Sequence, residues 1–384
     1  MTNTIIPSRI TEAREARAMS MEDLANSIGV TRQSVSKYER GIIGPSPEML
    51  QTISCILAFP VEFFYKPEAE STAQSSPLFF RSNSNIAKKV KTACKHQVKW
   101  VDELKKQLEK YVDFIEKSVP TIDVNYEDLS NEDIEELSLS IRTNWGLSDD
   151  PVKDLIGLLE NKGIIVSQFA SSELCKFKGI DAFSAWRDGT PYILYHSIEK
   201  SAVRTRFSIL HELGHLIMHS SISEEDSIKK MVVDFADMQA DRFASAFLLP
   251  ATSFPKDIRS TSLSSLEIVK QKWGASLSAI IKRCDNDNLK LLSDNQLNYL
   301  KRQMTMKKYW HREPLDDVLT VAKPEVLRDA IYLLIDNKII TKESFLNTSG
   351  LFSADLQTLC GLPNDFFSEQ SQRTKPFLKI ISSN

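Results

Sequence analysis

The chain has 384 residues, of which 42% are apolar and 26% charged, with a formal net charge of −3. At roughly 150 residues per domain this length predicts two or three domains, and the composition excludes collagen-like, fibrous and mostly disordered proteins. The five cysteines lie far apart with no C-x-x-C pair, which argues against a disulfide framework and against a cysteine zinc site. Near-neutral net charge excludes little, because nucleic-acid binding depends on how charge is distributed.

Residues 1–10 lack the basic-then-apolar pattern of a signal peptide, and no apolar run reaches the ~18 residues of a membrane span. We therefore expect a cytoplasmic protein that makes no membrane contact.

Short helical patterns extend to Lys66, and the Pro- and Ser-containing segment 67–77 that follows is typical of a linker. A long helix is predicted over residues 85–117, because positions four and three residues apart form a heptad pattern that only Gln97 interrupts. These positions are Val90, Cys94, Gln97, Val101, Leu104, Leu108, Tyr111 and Ile115. Packing against the chain's own next domain is the favoured interpretation, and a homodimeric coiled coil is the alternative.

Beyond residue 129 the pattern predicts two helices, three short strands and two further helices, followed by a mostly helical remainder. The helices are placed at residues 131–145, 151–161, 202–219 and 233–249, the strands at 164–169, 182–186 and 192–195, and a closing module begins near Pro314. The predicted fold class is mainly α with a small β-sheet (α+β).

Residues 21–41 have the local sequence features of two helices that cross steeply. Ser20 with Asp23 resembles a capping box, and Gly29 supplies a left-handed turn between the helices. Thr31 caps a second helix that ends at Gly41. Leu24 and Val35 are among the residues expected to face a common core.

That second helix, residues 31–40, is predicted to be a recognition helix. Arg can hold guanine and Gln adenine in the major groove, whereas Ser and Lys more often contact phosphates. The candidate DNA-binding residues are Thr31, Arg32, Gln33, Ser34 and Lys37. With its flanks, this region resembles the phage-repressor (Cro/cI, or XRE) helix-turn-helix family. The resemblance implies an all-helical head that binds a double-stranded DNA operator, usually as a dimer on a two-fold site.

His211-Glu-Leu-Gly-His215 is an H-E-x-x-H motif within an apolar helical pattern. Histidines four residues apart lie on one helix face and can share a metal ion, with Glu212 beside them as a candidate general base. With Zn²⁺, a bound water would reach a pKa of ~7 and could attack an amide carbonyl.

A third ligand must come from elsewhere. His219 is one turn farther along, but ~12 Å of helix rise separates it from His211, so an interaction with the helix dipole is the favoured interpretation. Asp237 on the next predicted helix is the better candidate, with Asp234 and Asp241 as competitors. Asp241 could instead orient a ligand histidine.

The stretches 206–219 and 239–250 resemble the ImmA/IrrE metallo-endopeptidase family, and residues 180–184 and 310–317 are similar to the subfamily that carries a repressor-type head. The resemblance implies a zincin-like peptidase that uses Zn²⁺ and cleaves a repressor protein. The family's third ligand is typically Glu, whereas Asp237 occupies the matching place here and is one methylene shorter.

We therefore expect a helix-turn-helix domain at 1–66, a linker and long helix at 67–120, a zinc metallopeptidase domain at 121–303 and a helical C-terminal module at 304–384. The leading hypothesis is a transcriptional regulator whose peptidase domain cleaves a protein partner, such as the product of a neighbouring gene, or itself. One alternative is a repressor or antitoxin-like regulator whose peptidase-like domain senses a metal, ligand or partner without cutting. Another is a peptidase whose head docks only on protein, which Arg32, Gln33 and Lys37 disfavour.

Overall fold

The computed structural model of the chain describes residues 4–67, 76–80, 87–122, 124–169, 180–196, 201–285 and 287–368. Over these ranges the fold is mainly helical with one small sheet, as the sequence predicts. The helices are α1 (Pro7–Ala16), α2 (Met21–Ile28), α3 (Arg32–Glu39), α4 (Pro47–Leu57), α5 (Lys88–Leu108), α6 (Asn131–Asn144), α7 (Leu155–Glu160), α8 (Ala202–Met218), α9 (Lys230–Leu248), α10 (Leu263–Trp273), α11 (Leu277–Arg283), α12 (Asp294–Met306), α13 (Val326–Asp336), α14 (Lys342–Ser349) and α15 (Ser353–Leu359). Short 3₁₀ turns include Val61–Tyr65, Tyr126–Asp128, Asp226–Ile228 and Phe254–Asp257. None of the helices in the described ranges is both long and apolar enough to cross a membrane.

The sheet has the strand order β1–β3–β4–β2, with β1 at Phe79–Phe80, β2 at Ile165–Gln168, β3 at Ala182–Arg187 and β4 at Thr190–Tyr195. β3 pairs antiparallel with both β1 and β4, whereas β2 pairs parallel with β4. The three longer strands confirm the predictions to within about two residues at each end. β1 was not predicted, and it lies just after the segment 67–77 that was expected to be a linker; linker residues 68–75 fall outside the described ranges.

The helix-turn-helix follows the predicted local features. Ser20 and Asp23 form a reciprocal capping box at the start of α2. Gly29 ends α2 with φ +71°, a left-handed conformation that glycine adopts without steric cost. Thr31 Oγ1 accepts the backbone N–H of Ser34 and so caps α3. Val35 is buried in the head's core, which leaves the opposite face of α3 exposed.

The heptad positions of α5 pack within the chain. Most are buried in one core with the head, one face of the sheet and the helices α13–α15; these are Val90, Cys94, Val101, Leu104 and Leu108. The favoured interpretation of intramolecular packing is therefore confirmed for these positions, which cannot also form a coiled-coil seam. The helix ends at Leu108 rather than Lys117, and Tyr111 and Ile115 are exposed beyond it.

A second core surrounds the predicted metal motif. The other face of the sheet packs against α8, because side chains alternate between the two faces of a strand: Phe183 belongs to the first core and Ala182 to the second. Helices α6, α7 and α9–α12 complete this core. α7 begins at Leu155 rather than at Pro151 because Asp154 Oδ1 accepts the backbone N–H of Gly157 and caps it there.

Polar contacts join the head to the C-terminal helices. Arg17 in the head forms an ion pair with Asp355 of α15, with 2.5 Å between nitrogen and oxygen. Lys66 Nζ donates to the carbonyls of Thr348 and Ser349 at the end of α14. The division at 1–66, 67–120, 121–303 and 304–384 stays a prediction, and residues 369–384 lie outside the described ranges.

Candidate metal centre and helix-turn-helix

Helices α8 and α9 pack against each other at unusually close range beside the H-E-x-x-H motif. A Cβ atom on Gly214 would lie 3.2 Å from Cα of Ala240 and 3.3 Å from Cδ1 of Phe243, closer than ordinary van der Waals contact. Glycine between the two histidines therefore lets α9 approach the face of α8 that carries them.

Three of the predicted residues converge on one point. The Nε2 atoms of His211 and His215 are 3.0 Å apart, and Asp237 Oδ1 lies 3.3 Å from His215 Nε2 and 3.8 Å from His211 Nε2. Within the described residues, His211, His215 and Asp237 are the group whose ligand atoms all lie close enough to hold one metal ion. Tetrahedral zinc with bonds of ~2.0–2.1 Å separates neighbouring ligand atoms by about 3.3 Å, so the donor set fits zinc.

The ionisation of the three groups is strongly coupled. Burial lowers the pKa of His211, but hydrogen bonding to Asp237 and Asp241 outweighs it and raises the pKa to about 9. Burial lowers the pKa of His215 to about 4, against the opposing influence of Asp237. Burial raises the pKa of Asp237, but the two histidines outweigh it and bring the pKa to about 2. At neutral pH the Asp237 carboxylate is thus ionised, whereas His211 carries a proton that a bound metal ion would displace.

The two other candidates for the third metal ligand, Asp234 and Asp241, do not reach the Nε2 atoms of the two histidines. Asp241 Oδ1 is 2.9 Å from His211 Nδ1, on the side of the ring away from Asp237, so it is placed to orient His211. Asp234 is exposed and pairs with Lys230 at 2.5 Å. The structure thus brings Asp237, and not Asp234, to the two histidines.

His219 lies at the C-terminal end of α8 and outside the group of converging ligand atoms, as the sequence predicts, but its buried contacts were not predicted. The side chain is fully buried, and its Nδ1 lies 2.9 Å from Nδ1 of His215. Its Nε2 lies 3.0 Å from Gln239 Oε1, and Gln239 Nε2 donates to the carbonyl of Tyr126 at 2.7 Å.

This chain of contacts determines which histidine nitrogens carry protons. A carbonyl accepts only, so the NH₂ group of Gln239 faces Tyr126 and its Oε1 faces His219. His219 Nε2 is then a donor. Burial lowers the pKa of His219 to about 3, so the ring is neutral and its Nδ1 is an acceptor. His215 must therefore donate from Nδ1, which leaves the lone pair of its Nε2 pointing at Asp237 and His211. The role of Gln239 in this chain of contacts was not predicted from the spacing of residues in the sequence.

Glu212 follows His211 on α8, its charge helps to raise the pKa of His211, and its side chain is completely buried. Ser184 on β3 donates its hydroxyl to Glu212 Oε2 at 2.7 Å, which fixes the orientation of the carboxylate. Phe79 on β1 stacks on the ring of His215, with the ring centroids 4.6 Å apart and the planes 10° from parallel. Neither Ser184 nor Phe79 was predicted as a site residue.

The candidate DNA-binding residues lie together at the start of α3. Thr31, Arg32, Gln33 and Lys37 are exposed, and Ser34 is half-buried, with its hydroxyl 3.0 Å from that of Thr31. Arg14 holds the far end of α3 through Glu39 Oε2 at 3.0 Å. The exposed arginine and glutamine are therefore presented on a fixed helix.

Comparison with known proteins assigns families to both regions. Residues 10–64 match the helix-turn-helix family, and residues 175–285 match the family described as IrrE N-terminal-like domain, a peptidase family. An "uncharacterized HTH-type transcriptional regulator" of Sinorhizobium medicae and one of Rhizobium meliloti are each 43% identical over 61 residues, 16% of this chain. An "uncharacterized transcriptional regulator in ATPase CF(0) region" of Rhodospirillum rubrum is 37% identical over 60 residues, also 16% of this chain.

The matched region spans 44% of the length of the first two relatives and 56% of the third. The similarity to these relatives thus covers about the length of the head, whereas the metal motif falls within the second family's range. The chain therefore joins a domain of the helix-turn-helix family, the type that binds DNA, to an IrrE N-terminal-like domain with a metallopeptidase-like fold.

Proposed function

We propose that this protein is a DNA-binding transcriptional regulator whose IrrE-like domain is a zinc-dependent endopeptidase. Its substrate is a protein partner of the repressor type, such as the product of a neighbouring gene, or the chain itself. The observation that carries the proposal is the convergence of His211 Nε2, His215 Nε2 and Asp237 Oδ1, with the buried Glu212 adjacent in sequence to His211.

His211, His215 and Asp237 would hold the zinc ion. When bound, zinc supplies a Lewis acid that polarises a carbonyl and lowers the pKa of water to ~7. The relay from Gln239 through His219 keeps the lone pair of His215 Nε2 directed towards Asp237 and His211, and Asp241 orients the ring of His211 through its Nδ1. These partners hold the ligands in place before the metal arrives.

Glu212 would act as the general base. Hydrolysis adds the hydroxyl of water to the amide carbon, breaks the C–N bond and leaves one proton for the departing nitrogen. The Glu212 carboxylate would accept that proton from the attacking water and deliver it to the amine. The hydroxyl of Ser184 holds the carboxylate in the required orientation at Oε2.

The helix-turn-helix would bring this domain to an operator in double-stranded DNA. Arg32 and Gln33 are exposed at the start of α3, where a recognition helix reads bases, and Lys37 is exposed one turn on. The names of the relatives that match the head support a role in transcription. The two-fold symmetry of operators bound by such heads leads us to expect a homodimer.

The test is proteolysis with the purified protein and the product of the adjacent gene, with and without a zinc chelator. We expect cleavage by the wild type that stops in the chelator and in Glu212→Gln. Glu132→Gln, which removes an exposed carboxylate from α6, is the matched control and should cleave like the wild type. Equal cleavage by wild type and Glu212→Gln would rule out this mechanism.

A second function uses the same site without catalysis. The complete burial of Glu212 and His215 favours a domain that senses a metal, ligand or partner and passes the change to the DNA-binding head. In that case zinc would alter operator affinity, and no protein would be cut at any zinc concentration.

A further inference from the structure

The two histidines and the glutamate of the candidate active site are buried, whereas the side chain of Asp237 is 28% exposed. Glu212 and His215 are 0% exposed and His211 is 2% exposed. An endopeptidase must place an extended stretch of substrate against its metal and its general base, so an element that covers these residues has to make way. The described contacts identify that element as β1, because the ring of Phe79 stacks directly on the ring of His215.

β1 lies on the outer edge of β3. Phe79 pairs with Ser184 and Phe80 with Phe183 in antiparallel register. Farther back, Ser76 N–H donates to the carbonyl of Trp186 at 2.9 Å, and Trp186 N–H donates to Ser76 Oγ at 2.9 Å. The other edge of β3 is taken by β4, so residues 76–80 occupy the edge of β3 that faces away from the rest of the sheet.

That edge runs past the catalytic candidates. Ser184, directly opposite Phe79, is the residue whose hydroxyl holds Glu212. Extended peptides bind proteins by adding a strand to a sheet edge, where the main chain provides hydrogen bonds and pockets for alternate side chains provide selectivity. A peptide strand on the edge of β3 would therefore pass beside Glu212 with one side chain against His215.

The side chain of Phe79 shows which residue fits there. It is 9% exposed and packs in a small apolar cluster with Ile222 and Ala236, against the partly buried Tyr126 and Val232. This cluster is separate from the two main cores. It offers an aromatic wall, aliphatic neighbours and the face of an imidazole ring, which together suit a large apolar side chain, above all an aromatic one.

We propose that residues 76–80 are an autoinhibitory strand of this domain, which occupies the outer edge of β3 and the Phe79 pocket, together called the subsite, in place of a substrate. The subsite takes an extended polypeptide, antiparallel to β3, that places Phe or another large apolar side chain against His215. Residues 76–80 fill the subsite in the resting protein and must leave it before a substrate strand enters. The term substrate rests on the function proposed above, whereas occupancy of the edge can be measured without any cleavage.

The experiment measures binding in full-length protein that carries Glu212→Gln, so that no peptide is cut. The probe is a fluorescein-labelled peptide with the sequence of residues 74–83, followed by fluorescence anisotropy. A tethered strand has an effective concentration of roughly millimolar and should exclude the probe from the parent protein. In the Phe79→Ala variant of that protein we expect at least tenfold tighter binding of the probe. A probe with Ala at its Phe79 position should lose at least tenfold of that affinity.

Phe352→Ala is the matched control, because it removes an exposed phenylalanine far along the chain, before α15; it should bind the probe like the parent. Equal affinity of the parent and the Phe79→Ala protein for the probe, or equal binding of the two probes, would overturn the proposal. Thermal unfolding by circular dichroism checks that each variant is folded. If Phe79→Ala unfolds, the same binding measurement is made with Phe79→Leu, which keeps apolar volume but loses the ring stacking. No gain in probe binding by that variant would overturn the proposal.

The outcomes separate this proposal from the proposed function. If the wild type shows no zinc-dependent cleavage, the proposed peptidase function is wrong, but the anisotropy comparison still tests the subsite. If the Phe79→Ala protein does not bind the probe more tightly, the subsite proposal is wrong, but the proteolysis experiment still tests the peptidase function.

Discussion

Gln239 is the most informative position at which to test the metal centre, because it is not a candidate ligand. It contacts His219, and His219 in turn contacts the candidate ligand His215. Gln239→Leu keeps the approximate volume of the side chain and removes both polar atoms. His219 Nε2 then loses the acceptor 3.0 Å away, and the carbonyl of Tyr126 loses its donor 2.7 Å away. His219 is no longer held in the form that accepts from His215, and the lone pair of His215 Nε2 is no longer fixed.

The size of the effect follows from the structure. Gln239 is 2% exposed, so water cannot easily replace the lost hydrogen bonds. Removal of a group that orients a metal ligand typically costs 10–100-fold in metal affinity, which corresponds to about 1.4–2.8 kcal/mol. We expect Gln239→Leu to weaken zinc binding by that factor while Glu212 and the three ligands stay in place.

The assay is competition for zinc with a chromogenic chelator at pH 7, with circular dichroism to confirm folding. Met238→Leu is the control on the same helix, because Met238 is 56% exposed and lies outside the relay. Zinc affinity in folded Gln239→Leu within twofold of the wild type would refute the relay.

Three further predictions follow from other contacts. Asp237→Ala should weaken zinc binding more than Gln239→Leu does, whereas Asp234→Ala on the same helix, which removes an exposed carboxylate paired with Lys230, should leave it unchanged in the same chelator competition. Burial raises the pKa of Glu160 from 4.5 to about 7 although it accepts the backbone N–H groups of Glu325 and Val326; the folded chain then binds this proton more tightly than the unfolded chain, so stability should fall as pH rises through that interval. Between those pH values the free energy of unfolding, measured in urea, should fall by about 2–3 kcal/mol more in the wild type than in Glu160→Gln. Parallel pH profiles of the unfolding free energy in the two proteins would contradict this prediction. Arg32→Ala with Gln33→Ala should reduce affinity for DNA from the chain's own promoter at least tenfold by fluorescence anisotropy, while the matched pair Arg302→Ala with Gln303→Ala on α12 should not; unchanged binding by the first pair would count against the recognition-helix assignment.

Short-range patterns predicted most of the fold and the centre of the site. The turn at Gly29 and the cap at Thr31 depend on residues within a few positions of each other, and both were read from the sequence. The same is true of His211 and His215, one turn apart on α8. Asp237 could be proposed because α9 had to return past α8, although only the structure shows the close approach at Gly214.

Long-range contacts explain what the sequence could not show. β1 has two residues, and its pairing with β3 depends on a contact across about a hundred positions, so the local pattern predicted no strand there. The buried contacts of His219 were not predicted because its partners are the side chain of Gln239, 20 positions away, and His215 on the preceding turn of its own helix. The heptad pattern continues to Ile115, but the helix ends at Leu108, where the buried contacts of α5 end.

The measurement that tests the central claim most directly is the zinc content of purified full-length protein by elemental analysis. We expect one zinc per chain in the wild type and in Glu212→Gln, because Glu212 is not a ligand, and none in His215→Ala. Wild-type protein that binds promoter DNA normally but holds no zinc after incubation with the metal would contradict the account.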